Sequence, residues 1–282
     1  MNIHALELPV QGADGHAWIL AARIPERPRA HLLWLPALGV AARHYLPFAE
    51  ALAARGVAVY LHEWRGNGSS NLRPDRRQDW GYRDLLAADL PASQAAMRAH
   101  GGDGIPVIGG HSLGGQLAAC YLGLHARDFE RLWLVASGTP YWKTFAPPRG
   151  WLLPWFYQFA IWIARRRGTF PGRRLGFGGE EARGLIGDWA AVGLSGRYAA
   201  AGLETDLETG MAGASPANRG VLFEHDWLAP QASLAGLLAK FPRARKHVVR
   251  LDARALGARA DHFAWMKQPE AVAAALSGPD GD

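Results

Sequence analysis

An α/β fold, with a mostly parallel sheet covered by helices on both faces, is what this sequence predicts. Two observations carry it. Apolar runs of strand length keep alternating with segments of helical period. Around Ser112 a strand, a glycine-rich turn and a helix follow one another directly. Composition agrees. Hydrophobic residues make up 49% and charged residues 20%, as in a globular chain rather than a disordered one. At 282 residues and 30.6 kDa there is length for one large domain, or one domain with an insertion.

Residues 6–10 and 17–24 read as short strands around the turn-rich Gln11-Gly12-Ala13-Asp14-Gly15. Residues 31–35 are a third apolar run, closed by Pro36-Ala37-Leu38-Gly39-Val40. A helix over 45–55 stops at Gly56, and a buried strand over 57–62 leads into Glu63-Trp64-Arg65-Gly66-Asn67-Gly68-Ser69-Ser70. Residues 84–100 have helical period and end at Gly101-Gly102. After the segment around Ser112, residues 132–137 form a further strand. The pattern then breaks until 220–223, which return as a strand. A helix over 233–240, a strand over 247–251 and a closing helix over 269–276 follow.

The organising stretch is Ile108-Gly109-Gly110-His111-Ser112-Leu113-Gly114-Gly115, entered through Ile105-Pro106-Val107. Gly110-His111-Ser112-Leu113-Gly114 fits G-x-S-x-G, in which a sharp turn lifts one serine between a strand and a helix. The turn needs strained backbone angles. Strand and helix pass so closely that a side chain at 110 or 114 would collide. Ser112 would stand at a helix N-terminus, where free N–H groups favour a developing negative charge. A plain turn with an incidental serine is the alternative, and the flanking strand and helix speak against it.

Several classes are excluded. The balance of 31 basic against 25 acidic residues gives +6, with arginines spread along the chain, so no nucleic-acid partner is expected. Cys120 is the single cysteine, which rules out an internal disulfide and a zinc cluster; its apolar helix suits packing better than reactivity. No histidine–carboxylate cluster has ligand spacing and no nucleotide loop is present, so neither metal nor cofactor is expected. Residues 1–9 lack a basic stretch followed by an apolar core, so no secretory signal is indicated and a cytoplasmic protein is expected.

Three motifs in order make the chain resemble the α/β-hydrolase superfamily. They are Pro36-Ala37-Leu38-Gly39 after one strand, Glu63-x-Arg65-Gly66-x-Gly68-x-Ser70 after the next, and the Ser112 turn. The resemblance covers 30–137 and 220–276. The first loop usually reads His-Gly where Pro36-Ala37 stand, and the second usually begins with Asp where Glu63 stands. Both departures bear on loop geometry more than on activity. The resemblance implies an α/β-hydrolase fold with a helical cap after the sixth strand: a core of 1–137 and 219–282, and a cap of 138–218. Within that cap, 168–178 with Asp188-Trp189 and Arg197-Tyr198 is similar to a bacterial group of such hydrolases largely without assigned substrates.

A serine hydroxyl needs a base within reach, and the base needs an orienting acid. In this fold their chain order is Ser, then Asp or Glu, then His. Ser112, Asp226 and His262 meet it. Asp226 opens a D-x-x-x-P pattern ending at Pro230; a turn or capping aspartate is the plainer reading, and Glu224 is a rival acid. His262 lies in the last loop before the last helix. Of its competitors, His225 falls beside the acid and His111 beside the nucleophile. The backbone N–H groups of Leu113 and Leu38 are the expected oxyanion donors. Arg65 reads as a brace for its loop rather than a substrate clamp.

The resemblance implies a serine hydrolase acting on a small-molecule carboxylic ester with an apolar acyl or alcohol group, of an esterase or lysophospholipase type. Acyl transfer to another acceptor uses the same residues, and a non-catalytic binding protein could keep the fold. The run 151–164, rich in Trp and followed by Arg165, Arg166 and Arg167, is too short to span a bilayer. It reads as a buried cap helix, as the lining of an apolar pocket, or as peripheral contact with a membrane surface. Pro154 is expected in its first turn.

Overall fold

The computed structural model describes residues 2–278. Its central sheet is built from β1 (Ile3–Gln11), β2 (Ala17–Pro25), β3 (Ala30–Leu35), β4 (Val57–Leu61), β5 (Ile105–His111) and β6 (Arg131–Val135). After β7 (Thr169–Pro171) and β8 (Glu180–Ala182), which form a separate hairpin, β9 (Ala217–Phe223) and β10 (Arg245–Leu251) complete it. The spatial order is β1-β2-β4-β3-β5-β6-β9-β10. β2 runs antiparallel to both β1 and β4, and every other neighbouring pair is parallel.

The alternation of side chains along a strand sets the layers. In β3, Leu33 and Leu35 join an apolar cluster on one face, with Ile108, Leu117 and Leu122. Leu32 and Trp34 join another on the opposite face, with Phe48, Leu52, Val272 and Leu276. Covering the first face are α2 (Leu90–His100), α3 (Leu113–Leu124) and α7 (Gln231–Leu238); covering the second are α1 (Leu46–Ala53) and α8 (Glu270–Ser277). The doubly covered, mostly parallel sheet predicted from the sequence is what forms.

Between β6 and β9 the chain leaves the sheet. This stretch holds α4 (Arg149–Arg167), the β7–β8 hairpin, α5 (Arg183–Ser195) and α6 (Leu207–Gly213). Glycine contacts seat it on the core. A Cβ on Gly123 of α3 would come within 2.7 Å of the Met211 nitrogen in α6. β9 begins at Ala217 and so takes in the last two residues of 138–218. The hairpin, with strands of three residues each, carries too short a pattern to be read from sequence. Pro154 also departs from expectation. α4 starts at Arg149, so the proline lies inside the helix and withholds an N–H from its ladder. Among the described residues, no helix is long and apolar enough to cross a membrane.

Candidate active site

The turn after β5 carries the strain that its glycines announced. Ser112 has φ +53° and ψ −121°, outside the regions a residue with a side chain prefers. Its main chain is held from both sides: the Ser112 N–H donates to Val135 O at 3.1 Å, and Ser137 Oγ–H donates to Ser112 O at 2.7 Å. A Cβ on Gly110 would meet the Gly114 carbonyl carbon at 2.3 Å, and one on Gly114 would meet Leu35 O at 2.0 Å. Strand, turn and helix therefore pass at a separation that only glycine permits at these two positions.

Asp226 and His262, distant in sequence, meet directly. His262 Nδ1–H donates to Asp226 Oδ2 at 2.8 Å, and both residues are buried. The other carboxylate oxygen, Oδ1, accepts from the Leu228 and Ala229 N–H groups at 2.9 and 3.2 Å. Asp226 is thus both the turn aspartate and the imidazole's partner, one role to each oxygen. A carboxylate on Nδ1 leaves the Nε2 lone pair as the basic site. The ring is fixed by its neighbours, 4.8 Å from the His111 ring and 4.7 Å from Phe263, while Trp265 Nε1–H holds the His262 carbonyl at 3.1 Å. No hydrogen bond joins the Ser112 hydroxyl to His262; the link lies one residue away, at His111. Such bonds are commonly long in a free enzyme and tighten on substrate.

The rivals fall elsewhere. Glu224 and His225 are exposed and 3.8 Å apart. His111 is fully buried, and Tyr45 Oη–H donates to its Nδ1 at 2.8 Å. Burial, helped by the nearby His262, holds His111 well below the usual histidine range, so it is neutral. Tyr45 Oη in turn accepts from the Ala37 N–H at 2.9 Å. One buried phenol therefore ties the loop after β3 to the strand that carries the serine. Sequence reasoning missed Tyr45 and Ser137, because neither has a local pattern and each acts only through tertiary proximity.

The loop after β3 makes a turn closed by Val40 N–H on Ala37 O at 3.1 Å, with Gly39 at φ +72°. Trp64 Nε1–H braces it on Pro36 O at 2.7 Å. Among the described residues, neither the Leu38 nor the Leu113 N–H has a protein acceptor. Both residues line a cavity of about 10 Å³, closed by Trp64, Trp80, Leu185 and Glu181. The roof is the β7–β8 turn. Gly179 nitrogen would lie 2.2 Å from a Cβ on Gly39, and Leu38 Cδ2 3.0 Å from one on Gly178. Glu181, buried in this roof, accepts from the Gly179 N–H at 2.6 Å; burial outweighs that bond and pushes the carboxyl up to about 7.

The second loop is a brace, as expected for Arg65. Its guanidinium forks onto Asp89, Nε to Oδ2 and Nη2 to Oδ1, both at 2.7 Å, and reaches Asp14 at 2.6 Å. His16 bridges Asp89 and Ser70 at 3.0 Å each. Glu63, in the place of the usual aspartate, accepts from the Ala42 and Ser69 N–H groups and so pins two loops together. Beside Asp226 and His262 opens a groove of about 700 Å³, bordered by Trp227, Phe263, Arg43 and Lys267. No group of three His, Cys, Asp or Glu side chains among the described residues could hold a metal.

Comparison with known proteins bears on the fold and the family. Structures covering nearly the whole chain share its fold. They include a hydrolase from Pseudomonas aeruginosa PA01, 19% identical over 98% of this chain and 97% of its own, with a TM-score of 0.63. An esterase from Thermogutta terrifontis is 16% identical over 97% and 96%, with a TM-score of 0.62. For a structure from a study of carboxylesterases of Nitrososphaera gargenis the figures are 15%, 98% and 97%, and 0.60. No curated protein matches. Residues 26–174, more than half of the chain, match the serine aminopeptidase S33 family. The chain belongs to that family and is an α/β-hydrolase.

Proposed function

We propose that this hydrolase cleaves carboxylic esters through Ser112, His262 and Asp226, with 138–218 as its cap. The observation that carries the reading is the Asp226–His262 bond at 2.8 Å, with the imidazole 4.8 Å from the ring of the residue preceding the strained serine and tilted against it. His262 Nε2 takes the Ser112 proton as Oγ forms its bond to the ester carbonyl carbon. The Leu38 and Leu113 N–H groups receive the oxyanion, a term worth about 3 kcal/mol per donor. The C–O bond to the alcohol then breaks, and that oxygen takes the proton from His262. Water, activated by the same base, releases the acid and restores the serine.

The apolar underside of the cap supports an apolar acyl or alcohol group. Leu38, Phe156, Ile163 and Phe177 pack against one buried apolar cluster of Ala160, Ala164, Phe170 and Ile186. The family's name describes release of an N-terminal residue, which carries a free amine. Glu181 is the one carboxyl lining the cavity at Leu38 and Leu113, and its raised pKa keeps it largely neutral below about 7, which suits a neutral ester better. A series of p-nitrophenyl esters of increasing acyl length tests the reading. We expect turnover that rises from acetate to a medium-length chain. Hydrolysis of amino-acid p-nitroanilides with no turnover of any ester would overturn it.

A further inference from the structure

Of the nine exposed large hydrophobic side chains among the described residues, five, Trp151, Leu152, Trp155, Phe159 and Trp162, lie on the single helix α4. At about 100° per residue they fall within an arc of about 100° on one face. Tyr157, Ala160 and Ala164, which are buried, occupy the opposite face. Trp155 is 77% exposed, Trp151 66% and Trp162 58%, so the indoles stand clear of the protein. This is not the scatter of single apolar residues common on surfaces; it is a continuous stripe three turns long.

The charge around the stripe is of one sign. From 138 to 179 the sequence carries Lys143, Arg149, Arg165, Arg166, Arg167, Arg173 and Arg174, and no carboxylate at all. Arg149 and the Arg165–Arg167 run bracket the stripe at its two ends, and all four are exposed. An apolar face of Trp, Phe and Leu with guanidinium groups at its margins matches the layered chemistry of a lipid surface: acyl chains, an indole-favouring interface, then anionic head groups.

We propose that α4 lies flat on an anionic lipid surface, its indoles in the interfacial layer and its arginines on the phosphates. The helix adsorbs and does not span, since it is about 28 Å long with charges at both ends. Beside the stripe the helix turns toward the site: Phe156 and Ile163 pack against the same buried cluster, Ala160, Ala164, Phe170 and Ile186, as Leu38 does. Adsorption would therefore set the roof of the candidate active site against the bilayer. This placement does not depend on the proposed chemistry, because partitioning is read without turnover.

Vesicle flotation at physiological salt tests it with the full-length protein. Vesicles of phosphatidylcholine with roughly 30% phosphatidylserine should carry the wild type, and pure phosphatidylcholine much less. W151D/W155D should lower partitioning at least about tenfold, and R165E/R166E/R167E on the order of a hundredfold. Both variants should keep the wild-type circular dichroism and soluble-ester turnover, since every altered side chain is exposed. Absence of wild-type flotation, or variants that float equally, would overturn the proposal. So would a dimer in sedimentation velocity that W151D/W155D converts to monomer, because a second copy would then cover the stripe.

Discussion

At the scale of single residues, the site rests on a few polar atoms whose loss has separable consequences. Asp226→Asn keeps the volume but leaves the imidazole in the wrong tautomer, so ester turnover should fall by about a thousandfold or more while the melting temperature moves little. Tyr45→Phe acts differently. It strands the Ala37 N–H and His111 Nδ1, both deep in the core, and should cost about 1–3 kcal/mol by urea denaturation. Glu181 gives a pH signature. The unfolded chain releases this proton near 4.5 and the folded protein near about 7, so stability is full below 4.5 and declines as pH rises through that window. The decline is bounded at about 3 kcal/mol, and Glu181→Gln should remove that slope from a pH series of denaturation midpoints. A wild-type curve no steeper than the variant's would place Glu181 outside the titrating set. Ser112 was legible in the sequence because its turn tolerates so few residues at 110 and 114. Tyr45, Ser137 and Glu181 were not, since a hydroxyl or carboxyl of ordinary local context gains its role only from what folding brings beside it.

At the scale of elements, the three loops around the serine are fixed by different means, and each fails in its own way. The loop after β3 depends on Gly39, whose φ of +72° and contact with Gly179 leave no place for a Cβ. Gly39→Ala should both strain the turn and lift the hairpin from Leu38, lowering kcat far more than it raises KM. The loop after β4 depends on Arg65. Arg65→Met leaves the buried Asp89 with only His16, and should destabilise by about 3–5 kcal/mol in chemical denaturation. The strands and helices of the core were legible because each has a sustained period. The β7–β8 hairpin was not, its strands being short and its turn a string of glycines, and α4 began earlier than its apolar run suggested. Asp226 and His262 were singled out by chain order, by the D-x-x-x-P spacing to Pro230 and by the place of the last loop, ahead of any contact between them.

At the scale of the whole molecule, the parallel core supplies a rigid shelf and the inserted segment supplies the surroundings. Strands β3 and β5 present Leu38 and Ser112 from neighbouring carboxyl ends of the sheet. The loop after β9 and the loop before α8 bring Asp226 and His262 from the far side. Over them, the space at Leu38 and Leu113 holds one water at most, so a substrate of any size requires the roof to move. Occupancy of the acyl site should therefore lower protease resistance or hydrogen-exchange protection of the β7–β8 turn. Unchanged exchange there on binding an acyl-length inhibitor would mean that substrate enters elsewhere.

The most direct measurement is labelling of the purified protein by a fluorophosphonate, with the modified peptide identified by mass spectrometry. We expect stoichiometric modification of Ser112, abolished by Ser112→Ala and reduced by orders of magnitude in His262→Ala. Folded wild-type protein that takes up no label, or labels at another residue, would contradict an activated Ser112 and leave the fold without the chemistry proposed for it.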